Sequence, residues 1–87
     1  MYKLVYYFRK TRGLASKKHE YERYVENGGW RLRRHAIHYI SEILKQDYIK
    51  AGYATETIVG GIYLYKSEKT EQGDRIVTEI EIKAEKV

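Results

Sequence analysis

Residues 30–51 read WRLRRHAIHYISEILKQDYIKA, and the spacing of apolar side chains within them decides the fold class. Leu32, Ala36, Ile37, Ile40, Ile43, Leu44, Tyr48 and Ala51 recur three and four apart, which stacks them along one side of an α-helix. Gly52 follows as a C-terminal stop, and Gly28-Gly29 breaks the chain ahead of Trp30. Such a rod needs an apolar surface to lie on, and both flanks of the sequence carry strand patterns that supply one.

Upstream, Tyr2, Leu4, Tyr6 and Phe8 alternate with Lys3, Val5, Tyr7 and Arg9, so a strand is expected with the first set facing the core. Thr11 to Ser16 reads as a loop, with Gly13 free to take a positive φ. In Lys17 to Asn27 the spacing of Tyr21, Tyr24 and Val25 predicts a short helix; a second extended segment is the competing reading, because aromatic and β-branched residues also suit strands. Downstream, a strand is expected from Thr57, with Ile58, Gly60, Ile62 and Leu64 on one side and Val59, Gly61, Tyr63 and Tyr65 on the other. Its paired glycines permit a bulge or a close approach by the helix backbone. Lys66 to Gly73 is a polar turn, after which Ile76, Thr78, Ile80 and Ile82 alternate with Val77, Glu79, Glu81 and Lys83.

Together these elements predict residues 1–87 as a single α+β domain. It is a two-layer sandwich in which a three-stranded, mostly antiparallel sheet packs on one long helix, the last strand lying between the other two. The helix covers one sheet face, and the other displays Tyr7, Tyr63 and Tyr65 among cations and glutamates.

The chain lacks cysteine, so neither a disulfide framework nor a thiolate metal site supports the small core. No apolar run approaches the roughly 18 residues of a membrane span, and Met1 leads into a strand pattern rather than a signal-peptide core. A cytoplasmic protein without a membrane partner is expected. The net charge of +5 is unevenly distributed: residues 1–35 hold ten Lys or Arg against three Glu, whereas residues 36–87 hold seven against nine acids. A concentrated basic segment points to a polyanion.

Catalytic groups are sparse. His35 and His38 lie three apart, but no spacing supplies further metal ligands or a positioned acid–base partner, and no glycine loop has phosphate-cradling spacing. The expectation is a protein that is not an enzyme and needs no metal or cofactor. Nucleic acid, DNA or RNA, is the expected partner: Lys and Arg neutralise phosphates, and tyrosine rings stack on unpaired bases. The candidate contacts are a basic loop (Arg9, Lys10, Arg12, Lys17, Lys18), the helix start (Arg31, Arg33, Arg34) as a second patch beside it if that start folds back near the end of the first strand, and the sheet tyrosines Tyr7, Tyr63 and Tyr65. The alternative is a protein–protein interaction module, dimerising through the open sheet face or docking on a host protein. In its sharpest form this is an inhibitor of a host nucleic-acid enzyme, encoded by a virus or mobile element.

Overall fold

A computed structural model of the chain describes residues 1–12 and 21–87. It is α+β, but the sheet has five strands: β1 (Tyr2–Arg12), β2 (Glu22–Val25), β3 (Ala54–Ile58), β4 (Gly61–Lys69) and β5 (Arg75–Lys86). Their order is β2-β1-β5-β4-β3, and every neighbouring pair is antiparallel. The expected three-stranded sheet on one long helix is thereby corrected in two places. The segment expected as a short helix between 17 and 27 contributes β2 instead, because Tyr24 and Val25 pair with Tyr6 and Val5 at the sheet edge. Residues 13–20 lie outside the described residues, and with them the start of that segment and most of the expected loop.

The second correction concerns the strand expected from Thr57. It breaks at Val59-Gly60 into the turn of a β3–β4 hairpin, with Ile58 paired to Gly61. Gly60 takes φ 79° at the second corner of that turn, a conformation glycine adopts without strain. Gly61 meets a different demand. A Cβ there would overlap the carbonyl of Ile82, so the close approach anticipated at the glycine pair is made by β5, not by the helix. The expected position of the last strand is observed: β5 runs between β1 and β4.

Alternation along the three central strands sends Leu4, Ile62, Leu64, Ile80, Ile82 and Ala84 to one face, where Ala36 and Ile40 of the helix meet them. The helical rod comprises α1 (Arg33–Tyr39), a π-helical turn (Ile40–Leu44) and α2 (Lys45–Lys50), and ends at Gly52, whose φ is 92°. It crosses the sheet diagonally, with α1 over β1 and β5, the π turn over β4 and α2 against β3.

The π turn explains why Ile43, expected on the core side, is 50% exposed. In an α-helix each step of four residues overshoots a full turn by about 40°. The row Ala36, Ile40, Leu44 and Tyr48 would therefore drift off the sheet within three steps. A π turn is wider, so a step of four falls short there and cancels much of the drift. The row stays on the core and Ile43 swings outward. Leu32, also expected on the core side, is exposed ahead of the first turn, while Trp30 bridges Tyr2 as an extra β-pair.

Aromatic rings close the margins of the core: Trp30 with Tyr39 at 5.2 Å, Tyr48 edge-on to Tyr53 at 5.3 Å, and Tyr6 edge-on to Tyr24 at 6.0 Å between centroids. Among the described residues, no helix is long and apolar enough to cross a membrane.

Two glycine variants separate backbone contact from backbone conformation. Gly61→Ala forces β4 away from β5 and is expected to cost about 3 kcal/mol or prevent folding. Gly73→Ala, with φ 88° but open space at its Cβ position, should cost about 1 kcal/mol. Urea unfolding followed by circular dichroism ranks them; equal midpoints would contradict the Gly61 contact.

Candidate polyanion-binding surface

The face opposite the helix is built by the register between β1, β5 and β4. Lys3 stands opposite Glu85, Tyr7 opposite Glu81 and Arg9 opposite Glu79, while Tyr63 and Tyr65 flank Glu81 and Glu79 from the other side. These neighbours engage one another. Arg9 Nε donates to Glu79 Oε2 at 2.7 Å and its Nη2 lies 2.6 Å from the same oxygen, with both side chains less than a fifth exposed. Tyr63 donates its hydroxyl to Glu79 Oε1 at 2.7 Å, and Tyr7 donates to Glu85 at 2.5 Å. The Arg9 guanidinium also lies 4.3 Å from the centre of the Tyr21 ring. Lys83 pairs with Glu81 at 3.6 Å and reaches over Tyr7.

Burial first, and then the Glu79 carboxylate, raise the pKa of the Tyr63 phenol well above its ordinary value. The network therefore holds that hydroxyl as a donor. Val5 has no exposed surface although it points to this side of the sheet.

These contacts engage the polar groups of sheet side chains expected to meet a ligand. Arg9 is committed to a carboxylate rather than left for a phosphate, and the polar tips of Tyr7 and Tyr63 are tied to glutamates. Across β1 and β5, Lys3, Arg9 and Lys83 are balanced by Glu79, Glu81 and Glu85, so this part of the face carries no formal charge. Tyr65 is 38% exposed. The glutamates were visible as the outward set of β5. Their neutralising effect emerges only when β5 is laid beside β1 in register.

The remaining predicted contacts fall into two places. Arg33 Nη2 lies 3.0 Å from where a Cβ of Gly60 would be, which fixes the helix start at the β3–β4 turn, beside Gly61, Lys83 and Val5. Lys10 and Arg12 lie toward the other end of β1, five and seven residues beyond Val5, or roughly 17 and 23 Å along the strand. Lys10 and Arg12 therefore lie away from the helix start, and the condition for a second patch beside them, a helix start folded back near the end of the first strand, is not met. Arg12 is 3.7 Å from Asp74 in an exposed pair, Lys10 is exposed, and Lys17 and Lys18 lie outside the described residues.

The other predicted cations lie at the helix start, Arg31 just ahead of its N-cap Leu32. Arg31, Arg33, Arg34, His35 and His38 are all exposed, and the first turn contains no acidic residue and no capping side chain. Among the described residues, the ion pairs Arg9–Glu79, Arg12–Asp74, Lys66–Glu68 and Lys83–Glu81 all lie on strands or their connections, and none involves these arginines. Residues 31–50 hold five Lys or Arg against Glu42 and Asp47, a formal +3 of the chain's +5. Cations at the start of a helix sit against its dipole, at a cost of a few tenths of a kcal/mol each. No group of three metal-ligating side chains comes together among the described residues. The chain matches no protein-family model, no curated protein and no solved structure.

Tyr63 gives a pH test of the sheet network. Because folding holds its phenol protonated above an ordinary pKa near 10, its stabilising effect is complete below about pH 10 and is lost as pH rises beyond it. Urea midpoints of the unaltered protein are expected to fall from pH 9 to pH 11, and Tyr63→Phe to fall less steeply. Parallel declines would show that Tyr63 does not donate to Glu79.

Proposed function

We propose that this chain is a non-catalytic nucleic-acid-binding protein of the cell interior that contacts the phosphate backbone through its exposed helix start. One observation carries the reading: Arg31, Arg33 and Arg34 are exposed at a helix start whose first turn holds no acidic residue, and no ion pair among the described residues involves them, while the sheet pairs Arg9 and Lys83 with glutamates. Guanidinium groups suit phosphate because their planar fork meets two oxygens at once. The helix dipole, which disfavours these cations in the free protein, favours an anion at the same place. His35 and His38 lie on the same exposed stretch and offer hydrogen bonds to phosphate or sugar oxygens.

The sheet tyrosines add less to this reading than their number suggests. A base stacked on Tyr7 or Tyr63 would have to settle over a surface where glutamates balance cations and hold the hydroxyls. Contact through phosphates alone positions a protein without reading sequence, so the expected binding is weakly specific and strongly salt-dependent.

Each arginine that displaces a counterion from duplex DNA contributes about 0.9 to the slope of log K against log salt. The triple variant Arg31→Ala, Arg33→Ala, Arg34→Ala is therefore expected to lower that slope by about 2 to 3 in an anisotropy titration with a labelled duplex. Alanine favours helix, so the variant should retain its fold. Tyr63→Phe with Tyr65→Ser should leave the slope unchanged. An unaltered slope in the triple variant, or no binding to duplex or single strand at low salt, would remove the proposal.

A further inference from the structure

On the helix side, the chain between β2 and the rod opens a cleft of about 180 Å³ lined by Leu4, Glu26, Asn27, Gly28, Gly29, Trp30 and Tyr39. Its origin lies in strand register. Val25 pairs with Val5 and the amide of Glu26 donates to Leu4, so a regular ladder would bring Gly28 opposite Tyr2. Trp30 occupies that place instead, exchanging two backbone hydrogen bonds of 2.7 Å with Tyr2. Two surplus residues loop out across Asn27–Gly29, Gly28 turning at φ 93° with nothing near its Cβ position. Bulges of this kind re-aim side chains at the rims of sheets.

The cleft's chemistry is anionic and aromatic, the reverse of the chain as a whole. Trp30 and Tyr39 stack at a tilt of 36° on one side, and Glu26 lies half-buried among the lining residues. The Tyr6 hydroxyl donates to Glu26 Oε2 at 3.3 Å, a long bond that leaves most of the carboxylate's accepting capacity unused. Burial, followed by the charge of Glu26, raises the pKa of that phenol. Asn27 adds an amide oxygen. Of the seventeen Lys and Arg, none described pairs with Glu26 or lies over Trp30 or Tyr39; the cation–ring contacts fall on Tyr21, Tyr53 and Tyr7.

The geometry points to a binding site for a primary alkylammonium group, with Glu26 as its counter-ion, the Asn27 amide as a further acceptor, and the Trp30 and Tyr39 rings against its stem. An ammonium offers three donors to such acceptors and is attracted by aromatic faces. The volume matches about six waters at their share of the liquid, which accommodates the four-carbon stem and nitrogen of a lysine-like chain. An anion would face Glu26 directly, and a neutral alkyl chain would leave the carboxylate with the long Tyr6 bond and no counter-ion. The assignment stands apart from the arginine surface and does not depend on it.

Trp30 is the only tryptophan and lines the cleft, so its fluorescence reports occupancy directly. The intact protein is titrated with pentylammonium chloride and with 1-pentanol. The amine is expected to give a saturable change and the alcohol to bind at least about tenfold more weakly, since only the amine gains a charge-assisted bond to Glu26. Glu26→Gln should weaken the amine by about tenfold and leave the alcohol unchanged. Spermidine and Nα-acetyl-lysine amide distinguish the sources: tighter spermidine binding assigns the site to free polyamines, and tighter lysine amide binding assigns it to a lysine of a protein partner. Absence of a saturable amine response, equal binding of amine and alcohol, or undiminished amine binding by Glu26→Gln would each overturn the site. The amine–alcohol comparison uses unaltered protein and so decides the matter even if the variant fails to fold.

Discussion

The antiparallel ladder between β1 and β5 is the constraint on which the rest of the structure depends. It joins eleven residue pairs, from Tyr2 with Lys86 to Arg12 with Ile76, and makes β5 the middle strand of the sheet. With this register every even position of β5 from Thr78 to Ala84 is buried, Ile80, Ile82 and Ala84 in the cluster that holds Ala36 and Ile40 of the helix, and every odd position from Glu79 to Glu85 faces away. A shift of one residue would exchange the faces, placing three glutamates in an apolar layer without water. Hydrophobic burial on one side and complementary charge on the other therefore select the same pairing. Agreement between independent terms is what gives a short chain a single folded arrangement.

The helix is subject to that register as well. Its contacts move from β1 and β5 to β4 and then β3, so it must keep one row of side chains turned down along a diagonal path. Regular α-geometry cannot hold the row Ala36, Ile40, Leu44 and Tyr48 there, and the π turn compensates at Ile40–Leu44. The adjustment exposes Ile43 on the outer side of the rod. It is one place where packing on the sheet overrides the local helical period.

How far the fold could be read from the chain depends on the range over which each signal acts. Alternation in β1 and β5, the stop at Gly52 and the apolar stripe are local, and they were legible. The edge strand β2 was not, because Tyr21, Tyr24 and Val25 suit a helical or an extended segment equally well, and only pairing with Val5 and Tyr6 decides between them. The Val59-Gly60 turn hid inside a run that alternates smoothly across it. The same distinction governs the candidate site. The arginine cluster at residues 31–34 is contiguous in sequence and was visible as such. The neutralisation of Arg9 by Glu79 joins positions seventy residues apart, and no local pattern announces it.

Long-range pairing also accounts for the charge pattern. Of seventeen charged residues on β1 and β5 and from Arg31 to Lys50, Arg9 is held by Glu79 across the strands, whereas no ion pair among the described residues involves the arginines at the helix start. A sheet face offers directly opposed neighbours about 5 Å apart, so opposite charges placed there find one another and the field they produce is short-ranged. The first turn of this helix holds no acidic residue, and none of the ion pairs among the described residues reaches it. Its arginines add like charges in one place, and the resulting potential extends into solvent by about the Debye length, roughly 8 to 10 Å at physiological salt. Two groups with the same formal charge thus differ in reach because of the element that carries them. The Arg9 guanidinium acts as internal structure, whereas Arg31, Arg33 and Arg34 are exposed to solvent.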